Sequence, residues 1–183
     1  MKDFIQDLTY RVLKNIALKT ELYYNDKDFD ISEYDIQAFL SQFFKRNVHN
    51  TGYVTYREAF GKFDCVIAKK ETDSPAVLYE LKTYVKPKEV LNRKSAFKKI
   101  KSDFEKLKDG IQKYKSCRGF FILICKKKDF VKKPFTEELE FILNRFEGKK
   151  GWKKIEYKKD KIIIKPSRKC TIERVVALCW EIK

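Results

Sequence analysis

The 183 residues predict an α/β fold, α+β mixed in its segregation, with a central mixed β-sheet flanked by helices. Three observations predict it. Apolar residues recur at helical spacing twice within the first 50 positions. Short runs rich in β-branched and aromatic residues fill positions 53 to 84. A strand, a long amphipathic helix and a wholly apolar run then follow one another, which is the order of a parallel crossover.

The first helix, within residues 1–24, carries Phe4, Leu8, Val12 and Ile16 on one stripe. The polar stretch YYNDKDFD ends it. Ser32 opens a second helix, with Asp35 three positions on as an acidic relative of the capping box, and Ile36, Phe39, Leu40, Phe43 and Phe44 as its buried face. Asn50-Thr51-Gly52 is a turn signal, and YVTYREAF and GKFDCVIAKK then read as strands. The loop ETDSP separates the second of these from AVLYELKTYV, so the two form an antiparallel hairpin folding near Thr72 and Asp73.

Past Lys86, the positions Phe97, Ile100, Phe104, Leu107 and Ile111 mark a long amphipathic helix. GFFILIC, residues 119–125, is too short for a core helix and suits a strand buried on both faces. A helix, TEELEFILNRF, and a hairpin through WKKIEYKKDKIIIKP come next, and VVALCWEI reads equally as strand or helix. The expectation is one domain over 1–183, with a core at about 30–126 and the helix 1–24 and elements 134–183 as additions.

Charge and cysteine usage narrow the function classes. Residues 1–80 hold 11 basic and 13 acidic side chains, and residues 81–183 hold 31 and 13, so the second half carries all of the +16 excess. Such a field attracts polyanions, and nucleic acid is the commonest of these in a cell. A Lys-rich solvated surface is the competing explanation. No run approaches the ~20 apolar residues of a membrane span, and Asp3 and Asp7 interrupt any secretory signal, so a cytoplasmic protein is expected. Cys65, Cys117, Cys125, Cys170 and Cys179 are scattered without zinc spacing and read as buried free thiols.

Alternation along the second hairpin strand puts Glu80 and Lys82 on one face, and folding at the loop centre brings Asp64 level with residues 80–82. Two carboxylates and an ammonium amid apolar sequence are costly to bury. Phosphodiester hydrolysis has a use for them. Mg²⁺ takes one or two carboxylates with water and substrate phosphate, and it eases deprotonation of a bound water. Asp64 and Glu80 are the expected ligands, with Mn²⁺ able to substitute, and Lys82 would hold or help activate the attacking water. A cross-strand ion pair on an open sheet face is the structural alternative.

These residues resemble the PD-(D/E)XK, or restriction-endonuclease-like, nuclease superfamily. Asp64 matches the first carboxylate and Glu80-Leu81-Lys82 the second half-motif, while Phe63 replaces the naming proline. The resemblance runs from the helix after Ser32 to Cys125. It implies a restriction-endonuclease-like core and a Mg²⁺-dependent endonuclease. It also implies that the Leu81 backbone carbonyl ligates metal and that an acidic residue of the first core helix completes the site. Glu33 is the candidate, since Asp35 has its capping role. Basic residues after the Lys strand would meet phosphates, with Lys86, Arg93, Lys94, Lys98, Lys99 and Lys106 as candidates.

The expected partner is double-stranded DNA, cut by a restriction, phage or mobile-element enzyme acting as a homodimer. A catalytically inactive binding subunit of the same fold is the alternative, and an RNA-cleaving enzyme using His49 is a further one. The VHNTG context instead suits a solvent-facing loop for His49. Tyr53, Tyr56, Tyr79 and Tyr84 either stack on bases or fill strands.

Overall fold

A computed structural model of the chain describes residues 2–22, 31–85, 94–115, 117–126, 128, 156–158, 161–163, 168–171 and 174–182. The elements are α1 (Lys2–Leu22), α2 (Glu33–Val48), β1 (Tyr53–Tyr56), β2 (Cys65–Lys69), β3 (Pro75–Tyr84), α3 (Lys94–Lys113), β4 (Arg118–Lys126), β5 (Glu156–Lys158), β6 (Lys161–Ile163), β7 (Arg168–Thr171) and β8 (Val175–Ile182). The main sheet is six-stranded, in the order β1-β2-β3-β4-β8-β7, and β5 and β6 pair separately. Its neighbours are antiparallel except β3 and β4, which run parallel across the α3 crossover. The architecture is therefore a mixed sheet flanked by helices, as expected. The expected helix TEELEFILNRF lies outside the described residues.

Strand alternation divides the core into two layers. Val77, Tyr79 and Leu81 of β3, with Phe120, Ile122 and Ile124 of β4, face α1 and α2. Leu78, Phe121, Leu123, Leu178 and Trp180 face Phe97, Ile100, Phe104 and Leu107 of α3. Burying each such side chain contributes roughly 1.5–3 kcal/mol, so both faces of β4 are covered, as the unbroken apolar run requires. VVALCWEI resolves to a strand because β4 and β7 hold it on both edges.

Several expectations need correction. The stripe of α1 is centred on Ile5, Leu8, Val12, Leu13 and Ile16, and Phe4 is exposed. On α2, Ile36, Leu40, Phe44 and Val48 are buried, while Phe39 and Phe43 only border the core. The strand read into YVTYREAF stops at Tyr56. Beyond it Glu58, Phe60 and Lys62 take left-handed φ values of 50°, 54° and 64°, which turn the chain off the sheet. Asp64 consequently sits one residue ahead of β2 instead of within it.

Gly110 lies inside α3, where glycine costs about 1 kcal/mol relative to alanine. Its missing side chain is needed. A Cβ there would stand 2.5 Å from Phe63 Cζ and 2.7 Å from Leu78 Cδ1. The glycine lets α3 close on β3 and on the residue preceding Asp64.

Candidate active site

The register between β2 and β3 pairs Cys65 with Tyr79 and Val66 with Leu78. Continued by one step, it sets Asp64 opposite Glu80, which is the level expected from the loop centre. Because β2 begins only at Cys65, no strand among the described residues lies beside the β3 edge beyond Tyr79 on that side. Its backbone donors are met by carboxylates. Leu81 N–H donates to Asp64 Oδ2 at 2.7 Å, and Thr83 N–H donates to Glu33 Oε2 at 3.1 Å. Within an extended residue N–H and C=O point the same way, so the Leu81 carbonyl is directed to this edge, next to Asp64.

Glu33 reaches the edge because Ser32 caps α2. The Ser32 side chain accepts from Asp35 N–H, and the Asp35 carboxylate accepts from Ser32 N–H at 2.8 Å, so the capping box is closed. Asp35 is thus spent on the cap, and Glu33, in the first turn, is free to turn toward β3. One helical turn further, Gln37 Nε2 donates to Asp64 Oδ1 at 2.9 Å.

The opposite wall comes from α3. Lys82 Nζ lies 3.2 Å from Glu33 Oε1 and 3.4 Å from Asp103 Oδ2. Lys106 Nζ lies 2.5 Å from Glu80 Oε1. Glu80 Oε1 has no well-angled hydrogen bond, so the Lys106 contact acts as an ion pair. Four carboxylates, Glu33, Asp64, Glu80 and Asp103, therefore share one site with two ammonium groups.

Burial dominates the acidities of the site. Burial raises Glu80 to about 8, and the neighbouring charge of Asp64 adds to the rise against the pull of Lys106. Burial likewise raises Asp64 to about 6, although the Leu81 N–H and the Lys82 charge pull it down. Asp103 is raised by burial too. Burial alone would lower Lys82, but Asp103 and Glu33 outweigh it and hold the ammonium above its ordinary value. Lys82 is accordingly a firm cation. A cation so held can hold a water as a donor and offset developing negative charge.

Comparison with family models, curated proteins and solved structures yields no match to this chain.

Asp64, Glu80, Lys82, Glu33 and Leu81 thus meet at one edge of β3. Lys106 belongs with them, held by Glu80 and by the Lys62 carbonyl at 2.5 Å, while its side chain keeps contact with solvent. Lys94, Lys98 and Lys99 are exposed on α3, while Lys86 and Arg93 lie outside the described residues. His49 is exposed and follows the last residue of α2. The 16 residues of that helix put it roughly 24 Å from Glu33 at 1.5 Å per residue, so it is no ligand here. Tyr79 is buried with its hydroxyl 2.9 Å from that of Thr9, so it packs and does not stack on bases. Tyr56 donates to Asp73 and Tyr84 to the Ala96 carbonyl.

Gln37 and Asp103 were not anticipated. Gln37 had a signal, since it stands four residues after Glu33 on the same helix face. Asp103 had only its place three residues before Lys106, one of several acids on a basic helix.

Among the described residues no three His, Cys, Asp or Glu side chains form a cage for a metal ion. The donor set instead offers Asp64 and Glu80 as hard oxygen ligands with the Leu81 carbonyl nearby, which fits the way Mg²⁺ is held by few protein groups plus water and phosphate. The formal excess of two negative charges among these groups fits a divalent cation as well. Cys65, Cys117, Cys125 and Cys179 are buried and take part in no disulfide among the described residues, and burial raises Cys65 and Cys117, the latter to about 11.

Proposed function

We propose that this chain is a magnesium-dependent nuclease with a restriction-endonuclease-like core, cleaving phosphodiester bonds of DNA. The observation that supports it is the convergence of Asp64 and Glu80, both raised toward neutrality, beside Lys82 at an open strand edge. A pure binding module gains nothing from desolvated carboxylates facing a phosphate. A cross-strand ion pair on a solvated sheet face is disfavoured, because Glu80 is 2 % exposed.

Magnesium, when held by Asp64 and Glu80, would supply the charge that eases deprotonation of a water and offsets the phosphate oxyanions. The chain's own groups have separate tasks. Asp64 is oriented by Gln37 and by Leu81 N–H, so its oxygens keep one direction without substrate. Glu80, a weaker acid than an ordinary carboxyl because of burial and the Asp64 charge, would be the second oxygen ligand and would release its proton on taking up the cation. Lys82, fixed between Glu33 and Asp103, donates to the attacking water or a phosphate oxygen and stabilises charge that builds in the transition state. Lys106 keeps Glu80 from swinging away.

The deciding experiment incubates plasmid, single-stranded DNA and RNA with Mg²⁺, with Mn²⁺ and with chelator. Wild type is compared with Glu80→Ala and Lys82→Ala. Metal-dependent cleavage of DNA lost in both variants is expected. Equal nicking by all three proteins identifies contamination, and tight binding without cleavage supports the accessory-subunit alternative. RNA cut in preference to DNA would change the substrate class while leaving the site assignment.

A further inference from the structure

Arg57, beside the site, has a different environment from that of Arg118 and Arg174. Arg57 directly follows β1, and the β1–β2 register, in which Tyr56 faces Val66, puts it opposite Cys65, the neighbour of Asp64. Its guanidinium carbon lies 3.6 Å from the ring centroid of Tyr34, the residue after Glu33. The stack therefore joins the start of α2 to the turn that delivers Asp64.

Arg118 gives its guanidinium to Glu181, and Arg174 gives its own to Glu21. Arg57 does otherwise. Its Nε and Nη2 are enclosed yet have no hydrogen-bond partner. These two nitrogens form one edge of the guanidinium, with parallel N–H groups at the spacing of two oxygens on a phosphate or carboxylate. Unmet buried donors on a charged group are unfavourable, and an arriving oxyanion relieves them. Stacking on the tyrosine fixes the plane of the fork in advance. Tyr34 itself is 61 % exposed, so the stack stands at the protein surface.

We propose that Arg57, backed by Tyr34, binds a phosphate of the nucleic-acid strand next to the one that is cut, on the α2 side of the site. This rests on the nuclease reading above. The proposal assigns strand positioning to the turn after β1, whereas the basic count of the sequence pointed only to the second half.

The test measures binding of fluorescently labelled duplex and single-stranded DNA across a salt series, in chelator so that cleavage plays no part. Wild type, Arg57→Gln and Arg57→Lys are compared, with thermal melting run alongside. Arg57→Gln is expected to weaken binding about tenfold and to reduce the salt slope by about one. Arg57→Lys is expected to keep most of the slope yet lose most of the affinity, because the charge remains without the fork. It decides the matter should Arg57→Gln fail to fold. Affinity within about twofold of wild type in a folded variant, with an unchanged slope, overturns the proposal. A wild type that cuts DNA while binding independently of Arg57 sinks this assignment alone. Arg57-dependent binding without metal-dependent cleavage sinks the nuclease reading alone, and no binding by wild type sinks both.

Discussion

Lys106 Nζ lies 2.5 Å from Glu80 Oε1, so a lysine of α3 is directed inward at a buried carboxylate of β3 instead of outward to solvent. The pairing is lopsided: the Lys106 side chain is 32 % exposed and that of Glu80 3 %. The lysine keeps access to water while the carboxylate does not, and burial outweighs the ion pair in holding Glu80 at about 8.

The first prediction concerns stability without metal. Glu80 and Asp64 are raised in the fold to about 8 and about 6 from ordinary values of 4.5 and 3.8. A carboxyl raised by folding binds its proton more tightly folded than unfolded, so its contribution is complete below the ordinary value and is lost as pH rises through the raised one. Melting temperature in chelator is expected to fall between about pH 5 and pH 8. Glu80→Gln should flatten that slope and stabilise the protein at pH 8 by on the order of 2 kcal/mol. A wild-type profile already flat over this range contradicts the assigned acidities.

Divalent metal should reverse the trend. It competes with protons for the same oxygens, so Mg²⁺ is expected to raise the melting temperature more at pH 8 than at pH 5.5. The gain is about 2.7 kcal/mol at a hundredfold excess over the dissociation constant. Asp64→Asn should abolish the gain. Differential scanning fluorimetry reads both, and no Mg²⁺ or Mn²⁺ response at pH 8 would remove the metal from the proposed function.

Lys82→Met separates stability from chemistry. Without the ammonium, Glu33 and Asp103 lose the cation between them. Because their side chains are 33 % and 16 % exposed, water screens part of the repulsion and the expected cost is about 1–2 kcal/mol. Cleavage is expected to fall at least ~100-fold, as for removal of a group that stabilises transition-state charge. Urea denaturation and a single-turnover cleavage assay test the two effects. Retained cleavage rate would displace Lys82 from its role.

Gly110→Ala is expected to destabilise the protein by about 1–3 kcal/mol, opposite in sign to the usual helix preference, because the added Cβ collides with Phe63 and Leu78. Phe63 precedes Asp64, so the displacement should reach the site and lower cleavage more than melting temperature. An alanine variant as stable as wild type would show that α3 can back away from β3 without cost.

The two hairpin strands, the crossover helix and the buried run at 119–125 were legible because each is a local pattern. A period of two or of about 3.6, bounded by turn residues, sets the element and its inward face. The capping box at Ser32 and Asp35 was legible for the same reason. So was the level of Asp64 against Glu80, since a short loop leaves a hairpin little freedom in register. The turn after Tyr56 was hidden, because Glu58, Phe60 and Lys62 take left-handed conformations that their residue types do not announce.

Local pattern by itself therefore determined the elements, their apolar faces and the three polar groups of Asp64, Glu80 and Lys82. Tertiary structure alone decided which charges oppose them: Glu33 and Asp103 around Lys82, Lys106 against Glu80, and Gln37 on Asp64. The physical reason is that ion pairing and desolvation depend on distances between residues as far as 49 positions apart. Only the packing of α2 and α3 on opposite faces of one sheet sets those distances.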